Sequence, residues 1–503
     1  MHAAELLSPR RAARSRTGSA GLVRSLDGPA LFALAFGSMI GVGWVTALGS
    51  WLSLAGPLGA LLAFVAGGAL MVCIGLCYAE LTPMLPVAGG EVAFAYRAYG
   101  TGKAFLVGWS LALGYVSVSA FEAISVGRVA AYLLPGLDAG EPLYRLAGDP
   151  VLPRHLLLAW LGTLFITGLN YVGVAQAARF QKWLIAAFLA LTAIFVASAF
   201  AGAAWSNLQP LVKGPGIGAA LGGTLAVFVS VPFWFVGFDV IPQGAEEASA
   251  SLPGRRLGLL IVAAIAGATL FYAAVILAVA AVGPWPQIVG DALPTARAFE
   301  LAFASPLLSQ LVLLAALIGL LTSWNGLFLA GSRVLFCLGR AGILPAQLGA
   351  AHPRYATPHR AVLFVGLVTL LAPLLGRDAL LAFVDVGAFC IGVAFLGVAQ
   401  TAVRLRRTAP ELPRPFRMPG GLVIPRIATA GALFILAALV LPGSPAALSW
   451  PREIGLLGLF ALLGWVFWSC GRGARGAIDE AERARRILAE FAPGETADET
   501  KPL

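Results

Sequence analysis

The sequence predicts an all-α polytopic membrane protein of about twelve transmembrane helices, and three observations carry that reading. Apolar residues make up 59% of the 503 and charged residues only 12%, against the roughly one quarter charged in water-soluble domains. The apolar residues fall into repeated blocks, such as 58–76, 257–282 and 422–441, each long enough to cross a ~30 Å hydrocarbon layer as a helix. Basic residues lie between these blocks and are not gathered on one polar domain, so the net charge of +10 reads as a topology signal and not as a nucleic-acid surface.

The chain divides into a cytosolic tail (1–27), a membrane domain (28–472) and a second cytosolic tail (473–503). The first tail carries Arg10, Arg11, Arg14, Arg16 and Arg24 without the apolar core and cleavage site of a secretory signal. Hydropathy then places spans at 30–52, 57–81, 104–134, 153–171, 179–203, 217–247, 256–282, 306–335, 360–376, 379–402, 422–442 and 452–471. Between the second and third spans, residues 86–100 hold Glu91, Arg97, Phe94, Tyr96 and Tyr99 at spacings that suit an interfacial amphipathic helix.

With the N-terminus inside, the inner loops hold most of the Arg and Lys, including the cluster Arg404, Arg406, Arg407, Arg414, Arg417 and Arg426. The outer segments hold Arg145, Arg154, Lys213, Arg297, Arg377 and Arg452. Translocating short Arg-rich loops is disfavoured, so both termini are expected inside a plasma membrane, here a bacterial inner membrane. The end of the chain turns charged and Ala-rich, with Asp479, Glu480, Glu482, Arg483, Arg485 and Arg486, which suits a short cytosolic helix and a disordered end. The five cysteines lie in or beside apolar blocks, with no metal-ligand spacing and no disulfide framework, so no metal and no cofactor is expected.

Two spans carry the signs of a broken helix. The first contains Phe36, Gly37, Ser38, Met39, Ile40, Gly41, Val42, Gly43 and Trp44, with three glycines in seven residues. The sixth runs through Pro232, Phe233, Trp234, Phe235, Val236, Gly237, Phe238 and Asp239, where Pro232 removes a donor and Gly237 relaxes the backbone. Gly37 and Gly41 alone would fit close helix packing. Matched interruptions at the first and sixth spans, equivalent places in two five-helix halves, point instead to a carrier whose unwound backbone faces a mid-membrane site.

At this point the sequence resembles the amino acid–polyamine–organocation carriers, and among them the bacterial amino acid permeases. FGSMIGVGW (36–44) looks like their first-helix glycine motif, and YAELTPMLPVAGGEVAFAYRAYG (78–100) like the segment after their second helix. FWFVGFDVIPQGAEEASASLPGR (233–255), SRVLFCLGRAGILP (332–345) and PELPRPFRMPGG (410–421) are similar to later segments, in the family's order. The resemblance implies an inverted repeat of helices 1–5 and 6–10 with two further helices, and alternating access around a central site. It implies that the amides of Gly41, Val42 and Gly43 face a substrate carboxylate, a use of a helix N-terminus that physics also favours. The carbonyls of Met39, Phe233 and Val236 would accept the ammonium group, with Ser38, Ile40, Phe121, Glu122 and Gly237 completing the substrate site. Trp234 and Phe235 are candidate gates, against a reading as packed or lipid-facing aromatics.

Glu122 lies mid-span, where a carboxylate costs at least ~2.5 kcal/mol unless paired, protonated or wetted. It is read as a cavity group that takes a proton or pairs with a basic substrate, against a structural hydrogen bond. Asp239 is a coupling candidate that also fits a helix cap, and Asp385 raises the same question. Glu246 and Glu247, near a span end with Arg255 and Arg256, read as solvated charges before a gate salt bridge. Some proton-coupled relatives carry a lysine inside the fifth helix; the matching place here is Phe188, and Lys182 lies nearer the inner end, where it can snorkel. Thr322 and Ser323 are coupling candidates as hydroxyls for sodium, so H+ and Na+ both stay open.

An enzyme is not expected, because His2, His155, His352 and His359 lie outside the spans or at their ends and form no catalytic motif. A channel would show pore loops or charge rings. The expected partners are the bilayer and a small amino acid or amine, with a polyamine carrier as the alternative and a non-transporting sensor also open.

Overall fold

The computed structural model describes residues 22, 24–146, 149–291, 293–303, 305–376 and 379–488. His2, Arg10, Arg11, Arg14, Arg16, Arg377 and the last fifteen positions of the second tail lie outside them.

Helix α1 (Gly28–Met39) begins where the Asp27 carboxylate accepts the Ala30 N–H at 2.8 Å, with Pro29 in the first turn. The backbone leaves helical geometry at Ile40 and resumes as α2 (Gly43–Thr46). Helix α3 (Leu48–Met84) contains the joint between the first two expected spans at Gly56, φ 71°, where a side chain would meet Val212 Cα at 2.7 Å.

Next come α4 (Gly90–Tyr99), α5 (Thr101–Leu133), α6 (Pro153–Val172), α7 (Val174–Ala201), α8 (Gly216–Phe235), the short α9 (Val240–Gln243) and α10 (Gly254–Val282). The second half holds α11 (Trp285–Ile288), α12 (Pro294–Phe303), α13 (Pro306–Arg340), α14 (His359–Leu371), α15 (Ala379–Thr408), α16 (Val423–Val440) and α17 (Arg452–Cys470). The short helices α18 (Arg472–Ala477) and α19 (Glu480–Leu488) close the described chain.

Among the described residues, eleven helical segments are long and apolar enough to cross a membrane, and the stretch expected as the ninth span is a shorter apolar helix, His359–Leu375. The all-α polytopic architecture is therefore present. Additions to the expected spans among the described residues include α11 and α12 and a small antiparallel hairpin, β1 (Tyr144–Leu146) with β2 (Asp149–Val151), between the third and fourth spans.

Helix α1 packs among α7, α10 and α13, while α5 packs on α13 and α15 and α8 on α3 and α15, so both interrupted spans lie inside the bundle. The outer helices α6, α16 and α17 turn large apolar residues outward, among them Leu161, Phe165, Ile427, Phe434, Leu459 and Trp465, as lipid-facing surfaces do.

One expectation needs correction here, and two terminal segments prove to be packed against the bundle. Helix α4 does not lie on an interface: Glu91 and Phe94 are fully buried and only Arg97 is exposed, because Gly90 lets the backbone approach Pro242 closely. The end of the first tail is packed, since Leu22 and Leu26 are buried and the Ser25 and Leu26 amides donate to Glu247 O at 2.9 and 3.0 Å. The cytosolic helix expected after the last span is also docked: Arg483 and Ile487 are buried, and the Tyr96 hydroxyl donates to Glu480 at 2.7 Å.

Candidate functional site

In an unbroken helix the Gly43 N–H would donate to Met39 O. Here Met39 O accepts the Tyr272 hydroxyl at 2.7 Å, and the same hydroxyl reaches Trp234 O at 3.2 Å. One tyrosine of α10 thus caps a loose carbonyl at each break. Sequence reasoning missed it, although Tyr272 is a phenol inside the apolar block 257–282, a signal comparable to an embedded charge.

At the second break Gly237 adopts φ 137° and its N–H donates to Asp239 Oδ1 at 2.7 Å. The Val240 N–H turns back to Gly237 O at 3.0 Å. Those two departures leave Phe233 O and Val236 O without the ladder donors a continuous helix would supply. Asp239 was expected to cap the resumed helix. It makes no forward cap to α9 and bonds backward to Gly237 instead.

The breaks meet at a cavity of about 20 Å³ bordered by Ser38, Met39, Gly41, Gly43, Phe121, Glu122, Phe233, Trp234, Val236 and Ser323, with Val118 and Tyr272 added by the fold. Ile40, Val42 and Gly237 lie in the interrupted backbone behind it. Phe235 does not border the cavity; its ring packs against Phe64 and Tyr272. Thr322 spends its hydroxyl on Gly319 O at 2.8 Å.

Glu122, only 2% exposed, accepts the Ser323 hydroxyl on Oε1 at 2.7 Å and lies against the Gly41 backbone, while Oε2 has no partner. A Cβ at Gly41 would lie 2.1 Å from Glu122 Oε1, and one at Gly43 would lie 2.3 Å from the Trp234 ring. The glycines are thus needed for space: a carboxylate and an indole press directly on the start of α2. The protein's own carboxylate occupies part of the amide cradle that the resemblance assigned to substrate.

Behind α1, four helices are joined by neutral amides. Gln181 Nε2 donates to Thr322 O at 2.9 Å and Ala33 O at 3.3 Å, Asn325 donates to Gln181 Oε1 at 2.9 Å, and Asn170 donates to Asn325 at 3.0 Å. Phe188 stands between Trp44 and Phe271, and Lys182 pairs with Asp27 at 3.2 Å near the Arg-rich end.

On the face opposite the Arg-rich loops, a vestibule of about 680 Å³ descends to Trp234 and Phe121, with Arg128 and Asp385 in its walls. Trp234 packs on Trp51, Phe121 and Phe233 at centroid distances of 5.1, 6.5 and 5.1 Å, so a single aromatic layer separates vestibule from cavity.

The Arg-rich face is closed by charge. Glu247 holds Arg333 bidentately, with both contacts at 3.0 Å, and Glu246 meets Arg340 at 3.3 Å and accepts the Ala88 N–H at 2.9 Å. These two glutamates, read as solvated, are buried and paired, and with α13 rather than with Arg255 or Arg256. Glu80 likewise anchors the loop before α16, taking Arg406, Arg414 at 3.2 Å and the Met418 N–H at 2.9 Å.

A sequence profile described as Amino acid permease matches residues 26–467, nearly the whole chain. The chain belongs to that family. This permease is 29% identical over 427 residues to the branched-chain amino acid permease BcaP of Bacillus subtilis (strain 168), covering 84% of this chain and 89% of the relative. It is 26% identical over 437 residues to the methylthioribose transporter of the same strain, covering 84% and 90%. It is 32% identical over 356 residues to the chloroplastic cationic amino acid transporter 9 of Arabidopsis thaliana, covering 69% and 60%. The family consists of multi-pass membrane transporters of small molecules and not of enzymes. Substrates named among these relatives include a sugar derivative, so membership alone does not choose the cargo.

Proposed function

We propose that this permease carries a neutral aliphatic amino acid across the bacterial cytoplasmic membrane by alternating access, with both termini inside. The observation that carries the reading is the meeting of two helix breaks at one cavity. At that point the start of α2 presents N–H groups, Phe233 and Val236 keep spare carbonyls, and Val118, Phe121, Phe233 and Trp234 form apolar walls. A zwitterion needs donors for its carboxylate, acceptors for its ammonium and an apolar wall for its side chain, and these are the three kinds of surface present. Glu122, pressed against the backbone at Gly41 just before α2, keeps Oε2 for the ammonium. A cavity of about 20 Å³ holds little more than one water. Substrate therefore enters as Trp234 swings toward the vestibule, and it leaves on the Arg-rich side after the Glu247–Arg333 and Glu246–Arg340 pairs part.

The free Oε2 of Glu122 also favours a second reading, an amine carrier. Uptake of radiolabelled leucine into proteoliposomes, challenged with valine, isoleucine, arginine, glutamate and putrescine, separates the two. Valine and isoleucine are expected to compete, and competition by putrescine alone rejects the amino acid reading. Glu122→Gln is expected to lower uptake efficiency on the order of tenfold, as loss of a charged hydrogen-bond partner does. Binding of leucine without any uptake would identify a sensor.

A further inference from the structure

Two carboxyls lie one layer deeper than the cavity, toward the Arg-rich face, and the substrate site uses neither as a contact. Glu91, at the start of α4, and Asp239, in the second break, are both fully buried, and the short α9 that follows Asp239 ends at Gln243, whose side chain reaches Glu91. Glu91 Oε2 accepts the Gln243 side-chain amide and Asp239 Oδ1 accepts the Gly237 N–H, while Glu91 Oε1 and Asp239 Oδ2 have no partner.

Two tyrosine hydroxyls are turned to the pair, Tyr78 from α3 toward Glu91 and Tyr115 from α5 toward Asp239, and neither makes a well-aligned hydrogen bond. Among the described residues, every other neighbour is neutral or already engaged. Helix α9 contributes Gln243, and α15 contributes Phe395, packed on Tyr78 and Phe238. The cations of α13 are taken, Arg333 by Glu247 and Arg340 by Glu246, and α19 meets α4 through Glu480 and Tyr96 at its far end.

Two bare negative charges in a dry interior with no counter-cation are strongly disfavoured, and one proton shared by the pair removes most of that penalty. Nor are the carboxyls passive. Asp239 holds the Gly237 peptide, whose Cβ, were there one, would lie 2.6 Å from Met39 N in the other break. Glu91 holds Gln243 and so ties α9 to α4, just above the Glu246 contact with Ala88.

We propose that the Glu91–Asp239 pair is a proton-binding site through which a proton gradient drives this permease. The pair takes one proton from the vestibule side and carries it, as a carboxyl O–H, while the Arg-rich face is shut. It releases that proton to water on the Arg-rich side when the two ion pairs part. Losing it restores the full carboxylate hold on Gly237 and Gln243, so proton release and rearrangement of both breaks occur together. This rests on the transport reading, and the test distinguishes the two.

Reconstituted protein is loaded with leucine for counterflow and, separately, given an alkaline interior without sodium. Absence of wild-type counterflow defeats the transport reading itself. With counterflow present, an interior one pH unit more alkaline is expected to drive up to about tenfold accumulation at one proton per substrate, with matching proton entry seen by an internal pH dye. Wild-type uptake that ignores the pH gradient, or that needs sodium, overturns the proton site.

Glu91→Gln is expected to keep counterflow and lose gradient-driven accumulation, and Asp239→Asn to lose the latter. Retained drive in both overturns the proposal. Should both substitutions fail to fold, the Tyr78→Phe, Tyr115→Phe double variant keeps the carboxyls and removes the two hydroxyl dipoles turned toward them. Its midpoint pH for driven uptake should rise, because nearby polar hydroxyls favour the ionised form over an apolar ring edge, and an unmoved midpoint also overturns the assignment.

Discussion

At Gly237 two independent constraints coincide: the backbone is held at φ 137°, and a side chain would strike Met39 N at 2.6 Å and Ser38 C at 2.7 Å. Gly237→Ala is therefore expected to destabilise by about 1–3 kcal/mol and to abolish leucine uptake, because the strain falls on both breaks together. A detergent melting curve beside an uptake assay checks both parts, and normal transport at a lowered melting temperature would make Gly237 merely structural. The glycine and proline punctuation and the embedded Glu122 were legible because single residues carry those signals. The aims of Trp234 and Phe235 were not. Adjacent helical residues point about 100° apart, so chain order cannot say which ring closes the cavity and which packs on Phe64. Glu91 was misread for a related reason, since its charge fits a wet interface as well as a buried, proton-sharing pair.

Between elements, the strongest closure on the Arg-rich face is the bidentate Glu247–Arg333 pair joining the end of the sixth span to α13. Arg333→Ala leaves a buried carboxylate alone and is expected to cost about 3–5 kcal/mol, while adding Glu247→Ala should recover much of that loss. Melting temperatures of the two single variants and the double variant measure the coupling directly; additive losses would mean that the pair does not act as a unit. Spans were readable to within a few residues because lipid demands long apolar runs. Their pairing was not, since Glu247 and Arg333 stand 86 positions apart and a charge near a span end looks the same whether bathed or bonded. The β1–β2 hairpin was hidden for a different reason: two strands of three residues each, the first exposed throughout, are too short to carry an apolar periodicity.

For the whole molecule, the asymmetry between one aromatic layer on the vestibule side and two buried ion pairs on the other describes a carrier open to one side only. In a variant without the five native cysteines, a thiol introduced by Ser50→Cys should react with an impermeant reagent added from the vestibule side. One introduced by Ala245→Cys should stay unreactive from the Arg-rich side until substrate and a driving gradient are supplied. Equal labelling of both at rest would contradict a carrier with a single open face. Glu122 bears on what happens when such a machine turns around unloaded. Its carboxylate keeps the Ser323 hydroxyl engaged even with no passenger aboard, so the idle return stroke strands no hydroxyl donor in a dry interior.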